Sequence, residues 1–166
     1  SIAVGPMPRN SDGYAKARSL AQTKLAAVKA LAADTNNNTV IVLSTKDLDT
    51  AHRDGKSSLL LGFQNALILG TDVNVINTLY NSGVRVFALT HMGHNNFADS
   101  SRTLFDGKTG TREPDAEHEG LSDLGVAAVK KINALGGIMD ISQLSKQAAL
   151  QTIELSKTPV IASHSN

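Results

Sequence analysis

Val84-Arg85-Val86-Phe87-Ala88-Leu89-Thr90 is a short β-branched and aromatic run that stops at His91. At seven residues it suits a buried strand better than a helix, and the residue at its carboxyl end can do chemistry. The pattern recurs along the chain. Leu59-Leu60-Leu61-Gly62-Phe63 stops at Gln64, Ile138-Met139-Asp140-Ile141-Ser142 at Gln143, and Pro159-Val160-Ile161-Ala162-Ser163 at His164. A fifth run, Thr39-Val40-Ile41-Val42-Leu43-Ser44, lies upstream.

Helical patterns separate these runs. Residues 12–33 place Ala21, Leu25, Val28 and Ala32 at spacings of four, three and four, and Asp34-Thr35-Asn36-Asn37-Asn38 is the polar turn that ends the helix. Thr45 is placed to cap a helix over 46–54, stopped by Gly55. Thr71 or Asp72 starts another, with Val73, Ile76 and Tyr80 on one face and Gly83 as its stop. Leu121, Leu124, Ala128, Ile132 and Leu135 mark a fourth, ended by Gly136-Gly137, and Ser145 caps a fifth over 145–156. Residues 91–120 form a long polar connection, a length that usually means function or disorder. Ser1 to Pro6 carries no pattern that assigns it.

Strands alternating with helices imply a parallel sheet with right-handed crossovers, its polar residues gathered at one end. In a (β/α) barrel that carboxyl end is where the active site is built. Five strands suit either a small doubly wound sheet or the middle of an eight-stranded barrel, which typically needs about 250 residues.

Composition excludes several function classes. Sixteen basic residues against fifteen acidic ones leave no strong field for nucleic acid or an anionic membrane. Cysteine is absent, so there is no disulfide and no thiolate metal site. No run approaches the ~20 apolar residues of a membrane span, and the first residues do not read as a signal peptide.

His164 directly follows a strand, where a neutral imidazole serves a metal or a proton equally well as a turn hydrogen bond. His91 and His94 form a His-x-x-His pair, but Gly93 and Asn95-Asn96 make the segment a loop, and His91, on the strand terminus, is the stronger candidate. Gln64 and Gln143 stand where Glu, Asp or His would serve a metal, and an amide carries no charge. Read on their own they satisfy backbone groups at the sheet mouth. Asp140, inside a strand, needs a partner, either a histidine that it orients or Arg85. Asp99 and Arg102 are expected to form an exposed pair. No phosphate cradle or nucleophile elbow is present.

Several stretches taken in order resemble one family. They are Ala51-His52-Arg53-Asp54-Gly55-Lys56, Leu61-Gly62-Phe63-Gln64-Asn65, Leu79-Tyr80-Asn81-Ser82-Gly83-Val84-Arg85 and Leu89-Thr90-His91. Further on come Asn96-Phe97-Ala98-Asp99-Ser100, Gly120-Leu121-Ser122-Asp123-Leu124-Gly125, Asp140-Ile141-Ser142 and Ser163-His164-Ser165-Asn166. From about residue 12 onward the set resembles the membrane (renal) dipeptidases, the M19 metallopeptidases.

The resemblance implies a (β/α)₈ TIM barrel that hydrolyses dipeptides with two zinc ions. Residues 1–166 would form a partial barrel domain of about five central β/α units, without the first and last strands. The family's opening His-x-Asp metal motif and its late arginine and aspartate have no counterpart in these residues. His164 matches a strand-end zinc histidine, and His91 matches the substrate-contacting, catalytic histidine, with Asn95 beside it on the substrate. Gln64 falls where a Glu bridges the metals and Gln143 where the other zinc histidine stands, while Asp140 supports the ligands from behind. A neutral amide bridges two cations poorly and replaces an imidazole poorly.

Two functions follow as expectations. One is a metal-dependent dipeptidase-like hydrolase, in which a metal-activated water attacks the peptide bond. The other is a catalytically weakened relative that binds a small peptide or amino-acid derivative without hydrolysis. A homodimer and a periplasmic or secreted location are further expectations of the resemblance.

Overall fold

The computed structural model describes residues 1–165; Asn166, the last residue of the Ser-His-Ser-Asn stretch, lies outside the described residues. In chain order the elements are α1 (Ser11–Ala33), β1 (Thr39–Ile41), α2 (Thr45–Arg53), β2 (Ser57–Leu59), β3 (Leu61–Gln64) and α3 (Val75–Asn81). They continue with β4 (Val84–Ala88), β5 (Phe105–Asp106), β6 (Thr111–Arg112), α4 (Asp123–Leu135), β7 (Ile138–Asp140) and α5 (Lys146–Leu155). The pairing is parallel where the alternation predicts it. β3, β4 and β7 form one parallel sheet in that order, and β1 and β2 form a second, parallel pair.

The run expected as one strand over 59–63 changes partner midway. β2 pairs with β1 and β3 with β4, and the register shifts between Leu61 and Gly62. Leu60, between the two, is 51% exposed. The strand expected over 39–44 ends at Ile41, because Ser44 turns to accept the Asp47 N–H and cap α2, the role expected of Thr45. α3 begins at Val75 rather than near Asp72, whose carboxylate accepts the Asn74 N–H in a turn before the helix. Ser145 caps α5 as expected by accepting the Ala148 N–H, and Gly136 closes α4 in the left-handed conformation.

Two strands differ at the sheet edges. The run over 159–163 pairs only at Ile161, which bridges in parallel to Asp140 and exchanges backbone hydrogen bonds with Met139 and Ile141. Pro159, with no N–H to give, opens that run. At the other edge the unassigned start is extended, with Ile2 N–H donating to Gly62 O at 2.7 Å and Val4 N–H to Gln64 O at 3.2 Å.

The core lies between this sheet and its helices. Phe63 and Phe87 pack with ring centroids 5.8 Å apart, and Ile76, Ile132, Val129 and Met139 close around them. Among the described residues, no helix is long and apolar enough to cross a membrane.

Candidate functional site at the strand ends

Parallel alignment brings Gln64, His91, Gln143 and His164 to one end of the sheet, and three of them meet. The Gln64 amide donates to Gln143 Oε1 at 2.7 Å and lies 3.0 Å from His164 Nε2. The glutamines therefore satisfy each other and an imidazole, rather than the backbone groups expected of them. Gln143 holds its place with φ +65°, a conformation most side chains avoid. Its carbonyl is anchored by the Ser101 N–H at 2.9 Å and the Ser100 hydroxyl at 3.2 Å.

Asp140 lies just behind. Its Oδ1 accepts the Ser142 and Ser163 N–H groups, and its Oδ2 accepts the Ser163 hydroxyl at 2.5 Å. Burial pushes this carboxyl up, but the Ser163 and Ser142 hydrogen bonds outweigh it and hold the pKa below the usual range. Arg85 is not its partner: that guanidinium donates to the carbonyls of Leu43, Tyr80 and Val84. Of the two partners open to Asp140, the structure shows the path to a histidine, through Ser163 Oγ, 2.8 Å from His164 Nδ1.

His91 is half-buried at the end of the β4 run, with its Nδ1 sealed from solvent and without a hydrogen-bond partner among the described residues. Burial first, and then the charges of Arg102 and His164, lower its pKa. The loop behind it is tightly built. Asn95 is 1% exposed, and its amide donates to Asn65 Oδ1 and Leu89 O while accepting the N–H groups of Phe97 and Ala98. All of these bonds stay within the protein.

Asp99 corrects another expectation. It is fully buried and does not pair with Arg102 at the surface. Its carboxylate gathers the loop by accepting the N–H groups of Glu117 at 2.9 Å, Gly120 at 2.9 Å and His118 at 3.1 Å. His94 packs beside it, accepting the Ser100 N–H at Nδ1 and donating from Nε2 to Pro114 O. The 3.4 Å approach of His94 Nδ1 to Asp99 is therefore not a hydrogen bond, because that lone pair is taken.

Of the four strand-end residues, Gln64 and His164 line a cavity of about 390 Å³, together with Gly62, Val86, Ala88, Asp140 and Ser163 among others. That volume suits a small molecule.

The family model for membrane dipeptidase (peptidase family M19) matches residues 1–166. The chain belongs to the membrane dipeptidase family. It is 34% identical to the probable dipeptidase PvdM from Pseudomonas aeruginosa, with a TM-score of 0.86 over 96% of this chain and 39% of that one. A metallo peptidase from Rhodobacter sphaeroides, liganded with a phosphinate mimic of the dipeptide L-Ala-D-Ala, is 20% identical. It superposes with a TM-score of 0.83 over 99% of this chain and 51% of that one. The dipeptidase AC, a metallo peptidase of family M19, is 22% identical with a TM-score of 0.80, over 92% of this chain and 42% of that one. The chain thus spans between 39% and 51% of the length of these structures. It shares their mixed α/β fold with parallel sheets, as its strand–helix alternation predicts.

Membership in a metallopeptidase family implies a metal, and the donors that the described residues gather at the strand ends are a poor ligand set for one. In the hydrogen-bonded cluster His164 brings an imidazole, and the groups bonded around Gln64 are otherwise amides. Among the described residues, no three His, Cys, Asp or Glu side chains are grouped to hold a metal ion. Among the described residues, the carboxylate nearest this cluster is Asp140, and it is spent on Ser142 and Ser163.

Proposed function

We propose that this protein binds a dipeptide, or an amino-acid derivative shaped like one, at the strand-end cavity, and does so without two-metal hydrolysis. One observation carries the reading: the Gln64 amide donates at once towards Gln143 Oε1 and His164 Nε2. Where the family resemblance expects a bridging carboxylate and a second imidazole, this site is a closed set of neutral hydrogen bonds. His91, at the same end of the sheet, is held from protonation by burial first and then by Arg102, and brings no charge to that end. In this reading Asn95 shapes the loop that carries His91, and the site takes its polarity from the two amides.

A metal-dependent dipeptidase is the second reading. Family membership favours it, together with His91 and His164 at the positions the resemblance assigns to substrate and metal. Calorimetric titration with a dipeptide panel, run beside metal analysis and a hydrolysis assay, separates the two. Dipeptide binding without turnover, in protein free of stoichiometric metal, is the expected result. Turnover with two equivalents of zinc would overturn the first reading in favour of the second.

A further inference from the structure

The protons along the strand-end hydrogen bonds have one consistent arrangement, set from Asp140. Asp140 is an ionised acceptor that already takes two backbone N–H groups at Oδ1. The Ser163 hydroxyl has one proton, and its short contact to Asp140 Oδ2 uses it. Ser163 Oγ can then only accept from its other neighbour, His164 Nδ1, 2.8 Å away. The imidazole thus carries its proton on Nδ1 and turns the Nε2 lone pair towards Gln64. The Gln64 NH₂ group, 3.0 Å from that nitrogen, gives it one proton and gives the other to Gln143 Oε1. Every donor has one acceptor, and the direction is set at the Asp140 end.

We propose that Ser163 is a positioning residue: it couples Asp140 to His164 and fixes the Nδ1–H tautomer, so that His164 Nε2 and Gln143 Oε1 form a paired acceptor for a nitrogen donor. The Gln64 amide fills that position from within the protein. The ligand groups that compete for it are N–H donors, an ammonium or amide of a small peptide, and not carboxylates. The His164 backbone N–H donates to the Ser142 hydroxyl at 3.1 Å, so the main chain that carries the ring is held as well. His164 is exposed, and an imidazole free in water favours the opposite, Nε2–H, tautomer. Which nitrogen carries the proton is set by the bond the other makes.

The ligand class rests on the binding reading above, whereas the tautomer is measured without ligand, so the two fail separately. Long-range ¹H–¹⁵N correlation on the ¹⁵N-labelled protein in mildly alkaline buffer distinguishes protonated from unprotonated ring nitrogens. Wild type is expected to show His164 with a protonated Nδ1 and an unprotonated Nε2. Ser163→Ala should convert it to the Nε2–H form or to an averaged pair, and Ser163→Thr, which keeps the hydroxyl, should restore the wild-type pattern. An Nε2–H tautomer in wild type, or an unchanged Nδ1–H tautomer in a folded Ser163→Ala protein, overturns the proposal. If Ser163→Ala does not fold, wild type and Ser163→Thr still decide it, since both must show Nδ1–H. Added Ala-Ala dipeptide should shift the Nε2 resonance and acetate should not; a shift with acetate alone overturns the assigned ligand class.

Discussion

Replacing Asp99 with Asn tests the hub that builds the long loop behind the site. The carboxylate is fully buried, and each of its oxygens accepts two contacts: Glu117 and His118 N–H at Oδ1, Gly120 and His118 N–H at Oδ2. Whichever way the Asn amide turns, its NH₂ group faces backbone N–H donors, and about two charge-assisted bonds are lost. At about 1.5–3 kcal/mol for each bond to a charged group, the loss lies between about 3 and 6 kcal/mol. Local relaxation recovers part of it, so about 3 kcal/mol is expected near neutral pH. Burial raises the Asp99 pKa, but the Glu117, Gly120 and His118 N–H groups outweigh burial and bring it below its ordinary value of 3.8. With the folded pKa depressed, the stabilisation is complete above the unfolded value and is lost as pH falls through the folded one. Urea unfolding followed by circular dichroism at several pH values measures this. The gap between wild type and Asp99→Asn should be constant from about pH 6 upward and narrow below about pH 4. A gap under about 0.5 kcal/mol at neutral pH, the scatter of an ordinary surface change, or one that persists undiminished in acid, would refute the hub.

Gly125→Ala would set a methyl 2.0 Å from the Phe97 carbonyl oxygen, against which the first turn of α4 is seated. Thermal and urea unfolding should show a loss of about 2–3 kcal/mol, the upper part of the range for overpacking. Asn95→Ala leaves the Phe97 and Ala98 N–H groups unpaired in a buried loop; about 3 kcal/mol of destabilisation is expected, with dipeptide affinity falling at least about tenfold if the loop places His91. Because burial, Arg102 and His164 together lower the His91 pKa, its charge should stay off through neutral pH. Dipeptide affinity should then be flat from about pH 7 to 8 and fall only below the ordinary histidine range, near about 6.5, as calorimetry across pH would show.

The strand ends were legible because a buried parallel strand is a short apolar run, and its first polar residue marks where it leaves the sheet. That logic located Gln64, His91, Gln143 and His164. It overestimated the run from Pro159, where composition looks strand-like but only Ile161 finds a partner. It left Ile2–Val4 unassigned, since three residues are too few to show a period and their hydrogen bonds go to β3, about sixty residues away. Asp99 was misread for a similar reason. Its donors come from Glu117, His118 and Gly120, and nothing local to an Asp in a polar loop shows that backbone N–H groups will converge on it. Ser163 looked like a flanking residue because its function depends on Asp140, 23 positions earlier and on the neighbouring strand.

In the proposed reading Gln64 and Gln143 turn a metal site into a hydrogen-bonding one, and putting the expected ligands back tests it. Zinc stoichiometry and affinity should be measured for wild type and for the double variant Gln64→Glu with Gln143→His, using calorimetry and elemental analysis after dialysis. On this reading wild type holds no stoichiometric zinc, and the double variant, where a carboxylate and a second imidazole join His164, holds at least one equivalent. Two equivalents retained by wild type, with dipeptide hydrolysis, would contradict it.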